Sequence, residues 1–266
     1  MKKILCTILL GLWTLFACQG PPEPREEINE LRVLAIRAEP PTAKPGDKVK
    51  LDVLTTSPDQ QTVTYQWFLC TSPEQASTGC HEDSAATKLG TTKDTTLDIP
   101  QNALDNLDEV ETLRGRYLIV TLVAKGTEKE VIATKRIVVS TNQQNNNPTI
   151  TGLTLTPEGE TTPLTEPYKG KLETSYTLLP KVTADSQESY TRVTAQNEKK
   201  QDKEVLFYSW YTSKGSYSKG YLSQSPDPQN TYISPKEAPG KPVTIFLLVR
   251  DGRGGVDWLT KEITIE

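Results

Sequence analysis

The chain has 266 residues, with 30 Lys and Arg against 34 Asp and Glu, a net charge of −4. Its charges are interspersed and form no basic stripe, which makes it a poor nucleic-acid binder. Apolar residues make up 35% of the chain, and Thr, Val and Ile recur in short alternating runs. That pattern argues against a helical protein and for small β domains.

Lys2 and Lys3 open the chain and an apolar run follows over residues 4–16. About a dozen apolar residues cannot span a bilayer, which takes roughly 20. The run has the form of the apolar region of a signal peptide. Leu15-Phe16-Ala17-Cys18 closes it with a small residue before a cysteine. This resembles the lipobox of bacterial lipoproteins. The resemblance implies cleavage before Cys18 and diacylglycerol on its sulfur, with more than one acyl chain in the mature form. Cys18 is then the lipidation site and the membrane is a partner. By the same resemblance, Gln19 in place of Asp favours the outer membrane, in a periplasmic or surface-facing position. Residues 1–17 are the expected signal peptide. Residues 18–29, with Gly20-Pro21-Pro22-Glu23-Pro24, are the expected flexible tether, able to hold a domain roughly 30 Å from the membrane. Loss of Lys2 and Lys3 leaves 28 basic against 34 acidic residues, a net of −6.

The first domain is expected over residues 30–140. Strands are predicted at 31–38, 48–55, 63–70, 116–124 and 131–139, with a weaker one at 91–99 and a short helical turn within 102–112. Pro40-Pro41 and Pro45-Gly46 mark the first turn. In the second strand Val49, Leu51 and Val53 alternate with Lys50, Asp52 and Leu54. Val63, Tyr65, Trp67 and Leu69 share one face of the third. Cys70 and Cys80 enclose a short loop. An exported chain folds in an oxidising compartment, so a disulfide is the expectation. A metal site on Cys70, Cys80 and His81 lacks a fourth ligand at normal spacing, and no metal is expected.

Residues 141–148 contain Gln143-Gln144-Asn145-Asn146-Asn147-Pro148, a polar, low-complexity run that reads as a linker. The second domain is expected over residues 149–266 and repeats the plan. Its strands fall at 149–156, 181–184, 206–211, 230–233, 243–250 and 258–265. The last two join across Asp251-Gly252-Arg253-Gly254-Gly255, which suits a tight hairpin. Tyr65-Gln66-Trp67-Phe68 and Tyr208-Ser209-Trp210-Tyr211 occupy matching places, each a central strand carrying a core Trp. With the terminal hairpin, these residues resemble immunoglobulin-like and PKD-like domains. The resemblance implies an all-β protein of two tandem immunoglobulin-like (PKD-like) β-sandwiches behind a lipoprotein signal peptide and tether.

Catalytic chemistry finds little support. His81 is the lone His, beside the expected disulfide, with no Ser or Cys context for a triad. Gly252-Arg253-Gly254-Gly255 joins strand to strand, so it reads as a turn rather than a phosphate loop. Asp251 and Asp257 offer oxygen ligands of the kind calcium takes, without the repeated spacing of a calcium loop; no cofactor is expected. Two surfaces remain. Phe207, Tyr211, Phe246 and Leu248 form an apolar second face in the last sheet. It is either a partner-binding face or is covered by the first domain or by residues 185–203. Tyr217 and Tyr221 lie in a polar loop over residues 213–229 whose composition suits ligand contact. The functional expectation is a non-catalytic, membrane-anchored envelope lipoprotein, a binding or spacer module for protein or glycan partners. The alternatives are a carbohydrate-active enzyme or accessory domain, and a subunit of a larger envelope complex.

Overall fold

The computed structural model describes residues 25–58, 61–194 and 196–266. The expected signal peptide, the lipidation site Cys18 and tether residues 18–24 lie outside them. The first sandwich is built from β1 (Arg32–Glu39), β2 (Thr42–Ala43), β3 (Lys48–Thr56), β4 (Thr64–Leu69), β5 (Thr87–Gly90), β6 (Thr95–Asp98), α1 (Glu109–Arg114), β7 (Arg116–Lys125) and β8 (Glu130–Val139). One sheet has the order β1-β3-β6 and the other β2-β8-β7-β4-β5, with β2 parallel to β8. The alternation in β3 sends Val49, Leu51 and Val53 inward and Lys48 and Lys50 to solvent. They meet Trp67, Val120, Leu122 and Ile137 from the facing sheet. Trp67 is fully buried, and its indole N–H donates to the Thr92 carbonyl at 2.8 Å, which satisfies its one polar atom.

The second sandwich comprises β9 (Ile150–Pro157), β10 (Tyr168–Gly170), β11 (Ser175–Val182), β12 (Ser189–Val193), β13 (Lys199–Lys203), β14 (Phe207–Thr212), β15 (Ser216–Tyr217), β16 (Leu222–Gln224), β17 (Asn230–Ile233), β18 (Val243–Arg250) and β19 (Val256–Ile265). Its sheets run β9-β11-β17-β15 and β10-β19-β18-β14-β16, with β10 parallel to β19. This is the topology of the first sandwich with two additions: the β12–β13 hairpin inserted ahead of the Trp-bearing strand, and the short β15 at the edge beside β17. Both units are tandem immunoglobulin-like sandwiches: a first strand that feeds one sheet, a short strand that crosses to the other, and a buried Trp on an interior strand of the five-stranded sheet. The second core is rich in tyrosine. Tyr176, Tyr217 and Tyr232 are buried, with Tyr217 and Tyr232 rings 5.8 Å apart. Their hydroxyls find partners: Tyr217 donates to the Tyr211 carbonyl and Tyr232 to the Lys214 carbonyl, at 2.9 and 3.0 Å. Burial pushes both phenols above their ordinary range.

Four sequence expectations change. The predicted weak strand over 91–99 is shorter, β6 at Thr95–Asp98, and an unpredicted strand, β5, precedes it on the other sheet. The segment 185–203, for which no strand is predicted, carries the paired strands β12 and β13. The helical turn sits later than expected, at Glu109–Arg114, where Asp108 and Glu111 form a reciprocal capping box. Finally, the end of the expected free tether is docked. Glu27 bridges Thr212 in parallel, Ile28 N–H donates to the Thr212 carbonyl at 2.8 Å, and Ile28 is buried. Residues 26–28 thus extend the end of β14 before the chain enters β1, because Ile28 finds an apolar site that the Pro/Glu composition around it does not foretell.

Cys70 and Cys80 are joined by a disulfide. It is a loop clip beyond β4, packed on Ile119, rather than a bond between the two sheets. The Thr121 hydroxyl accepts the Cys80 N–H at 3.1 Å, which seats the clip on β7. Closing a loop of about ten residues stabilises by about 3 kcal/mol through the unfolded chain. Replacing both cysteines by Ser should lower the unfolding free energy by about that amount and abolish the difference between oxidised and reduced protein in a denaturant titration.

Candidate functional site

The two sandwiches meet along a seam, and the seam carries most of the unusual chemistry of this chain. It begins with an irregularity in β1. The register against β3 shifts between Val33 and Ala35, so Leu34 has no ladder partner. A bulge of this kind lets consecutive residues face the same way. Leu34 and Ala35 both leave the first core and join Ile28 and Leu54 against Phe246, Leu248 and Val256 of the second sandwich. Leu54 is the outward residue of an otherwise alternating strand. Phe246 and Leu248 are the outward residues of β18.

Polar links flank this apolar strip. Arg37 pairs bidentately with its cross-strand partner Asp52 at 2.8 and 3.2 Å and reaches Asp257 of β19 at 2.8 Å. Its guanidinium also lies over the Trp258 ring at 4.3 Å. Burial alone would lower its pKa, but the two carboxylates outweigh that and raise it. The remaining Asp257 oxygen accepts the Ile150 N–H at 3.0 Å. The run expected as a linker joins the two sandwiches and also clamps them. Asn145 donates to Asp251 at 2.8 Å. Asn147 donates to the Ala38 carbonyl at 2.8 Å and accepts from Val256 N–H at 2.9 Å, tying the end of β1 to the start of β19. The Asn146 amide binds Glu188 beside the inserted hairpin. Asp251 is itself held in the turn, accepting from Arg253 N–H at 2.7 Å and from Gly255 N–H at 2.9 Å. Gly255 must be glycine, since a β-carbon there would lie 2.1 Å from Asp251 Oδ2 and 2.9 Å from the Asn146 carbonyl. Arg253 completes the clamp, pairing with buried Glu204 at 2.7 Å, stacking over Tyr190 at 4.3 Å and donating to the Gln144 carbonyl at 2.6 Å. Burial pushes the Glu204 carboxyl up despite that pairing.

At the end of the seam a cavity of about 400 Å³ opens between β1, β8 and the β18–β19 turn. Val33, Ile36, Ala133 and Val256 give it apolar walls, and its charged lining is Lys135 and Arg250. Arg250 donates to Ser209 Oγ and to the carbonyl of the bulged Leu34, both at 2.8 Å. Lys135 donates to the Gly254 carbonyl. Among the described residues neither cation has a carboxylate bonded to it. Burial, with Arg250 adding to it, pulls Lys135 down to about 8, and Asp251 opposes the shift. Burial lowers Arg250 as well. A second concavity of about 550 Å³ lies on the other side of β1, where Arg25, Arg32 and Lys129 surround Tyr211 and Tyr221.

The sequence-derived site residues are redistributed. Phe246 and Leu248 are buried under the first domain, so they do not form an open partner face. Residues 185–203 take no part in covering them. Phe207 remains 41% exposed and Tyr211 is half-buried at the edge of the seam. Tyr217 is a core residue, not a loop contact, because β15 turns it inward against Trp210 and Tyr232. Tyr221 is half-exposed and sits 6.4 Å from Tyr211 ring to ring, so one residue from each expected surface comes together at the second concavity. Asp251 and Asp257, the residues weighed for calcium, have their oxygens occupied by N–H and guanidinium donors, an arrangement made for anions rather than for a cation. Sequence reading passed over Lys135, Arg250, Arg37 and the asparagines. The one available signal was Arg250, which continues the outward Phe246, Leu248 alternation with a charge.

Two outcomes test this geometry. Phe246→Ala should destabilise by about 3 kcal/mol and widen the solution scattering envelope as the sandwiches separate; an unchanged envelope would mean that the polar clamp alone holds them. For Lys135 the folded pKa lies below the unfolded value, so its penalty is complete below pH 8 and fades as pH rises toward 10.5. Lys135→Met should therefore be more stable than the parent at pH 7, by up to about 3 kcal/mol less the lost carbonyl bond. The difference should shrink between pH 8 and 10.5 in paired denaturation curves.

No protein-family model matches the chain, and neither does any curated protein sequence. Solved structures that resemble it are tandem immunoglobulin modules. A chimeric titin Z1Z2 aligns at 10% identity over 90% of this chain and 98% of that one, with a TM-score of 0.26. The N-terminal Ig1-2 module of the Drosophila receptor protein tyrosine phosphatase DLAR aligns at 6% over 90% and 100%, with a TM-score of 0.27. Three N-terminal domains of the bacteriophage RB49 outer capsid protein Hoc align at 12% over 89% and 70%, with a TM-score of 0.25. The immunoglobulin-like assignment rests on the strand order of the two sandwiches and not on these likenesses.

Proposed function

We propose that the chain is a non-catalytic envelope lipoprotein, anchored through Cys18 to the outer membrane, whose two immunoglobulin-like domains act as one rigid binding or spacer module for protein or glycan partners. The observation that carries the rigid-module reading is the seam. An apolar strip, the Arg37 bridge and the asparagine clamp fix the two domains against each other, where a flexible array would have a solvated linker. The docked residues 26–28 support a short stand-off. Only residues 18–25 would remain between the lipid and the first fixed contact, a reach of at most about 29 Å. That contact is on the second domain, at the end of β14. Both domains would then lie close to the membrane, instead of the first alone.

The binding half of the reading falls on what the seam leaves open. Phe207 and Leu222, 41% and 50% exposed, share the outer face of β14 and its edge strand β16. An edge strand with unpaired backbone groups and apolar neighbours suits a protein partner.

Cells expressing the chain and fed labelled palmitate provide the test. The wild type should incorporate label and sediment with outer-membrane vesicles. Cys18→Ser should lose the label and shift to the soluble fraction with its fold intact. An unlabelled, soluble wild type would overturn the anchored reading. A hydrolase activity abolished by a single carboxylate substitution would overturn the non-catalytic one.

A further inference from the structure

We propose that the cavity between β1, β8 and the β18–β19 turn is a binding site for a small monocarboxylate with a short apolar body. The proposal concerns the domain pair alone, goes beyond the envelope reading and does not rest on lipidation.

The cations come first. Lys135 and Arg250 converge on one cavity from different domains, and among the described residues each is held only by neutral oxygens: the Gly254 carbonyl for Lys135, and Ser209 Oγ and the Leu34 carbonyl for Arg250. Elsewhere along the seam the chain compensates its buried cations, with Asp52 and Asp257 on Arg37 and Glu204 on Arg253. Removing a cation from water without a counter-ion is costly, and two that repel each other are costlier. Asp251, the carboxylate whose charge acts on Lys135, is already committed to Asn145 and to the N–H groups of Arg253 and Gly255. An anion from outside supplies the missing charge.

Shape and lining then narrow the ligand. The cavity, about 400 Å³, has room for a molecule of several heavy atoms beyond a bare ion. β1 is the edge strand of its sheet, and β8 pairs with β2 only at Val138 and Val139, so the two edges face each other across a gap at residues 33–36 and 133–135. Val33, Ile36, Ala133 and Val256 line that gap. A head group of one negative charge meets the two cations, and an aliphatic body lies along the strand edges. Because the site takes walls from both domains, an occupant would also fasten the seam.

Calorimetric titration of the full chain in non-ionic detergent tests this with hexanoate as the probe. Hexanoate should bind with one-to-one stoichiometry, and hexanol at least ten-fold more weakly. Lys135→Met should weaken hexanoate at least ten-fold without lowering the melting temperature, because its own contact is a single carbonyl. Should that variant fail to fold, Arg250→Lys in the same titration, with the Lys135 Cε resonance followed by NMR in the parent, replaces it: hexanoate should raise the titration midpoint of Lys135. Absence of hexanoate binding, equal affinity for hexanol, or unchanged affinity in Lys135→Met would overturn the site. Inorganic phosphate displacing hexanoate more effectively than acetate would overturn the carboxylate assignment.

Discussion

The extra residue in β1 is the constraint on which the rest of the structure depends. Without the register shift at Leu34, strict alternation would bury every second residue of β1 in its own sandwich and turn the others to solvent. The shift places Leu34 and Ala35 side by side on the outer face and frees the Leu34 carbonyl to accept from Arg250. It thereby gives Phe246 and Leu248 something to pack on. A sheet with two apolar faces is stable only if both are covered, and here the second face of one immunoglobulin-like domain is covered by the first strand of the other.

Around that strip the two domains exchange polar anchors in both directions. Arg37 of the first reaches Asp257 of the second; Arg250 of the second reaches the backbone of the first; Asn147 binds both at once. Contacts continue at the margins, where Arg114 of α1 donates to the Thr194 carbonyl and Lys241 to the Pro58 carbonyl. The inserted β12–β13 hairpin thus serves as a buttress, and the chain entering at Ile28 closes the far side. The outcome is a joint in which compensated charges fix the geometry and a pair of uncompensated ones lines a cavity.

The two sandwiches share a topology but reach stability differently. The first is aliphatic around Trp67 and carries a disulfide clip on its long loop after β4. The second spreads tyrosines through its core, with the hydroxyls of Tyr168, Tyr176, Tyr217 and Tyr232 bonded to backbone groups. Tyrosine in a core demands a carbonyl or N–H at the right place, and β9, the residue after β10, the end of β14 and the turn ahead of β15 supply them.

The sequence by itself determined the β class, most strand positions, the two Trp-bearing cores and the Cys70–Cys80 pairing. The first three follow from period-two alternation and turn residues, local in sequence, and the pairing from the expected export to an oxidising compartment. It also held both readings of the apolar face on β18 without choosing between them. Tertiary structure decided that choice, because cover comes from residues about 190 to 220 positions away and through a bulge that no alternation pattern announces. It likewise turned Asn145-Asn146-Asn147 from a polar linker into a clamp and Tyr217 from a loop contact into core. Composition records what a side chain is able to bond, while only the packed chain fixes which partner stands within 3 Å. For the same reason Lys135 and Arg250 were two ordinary surface cations in the sequence; their shared cavity exists only where the two domains meet.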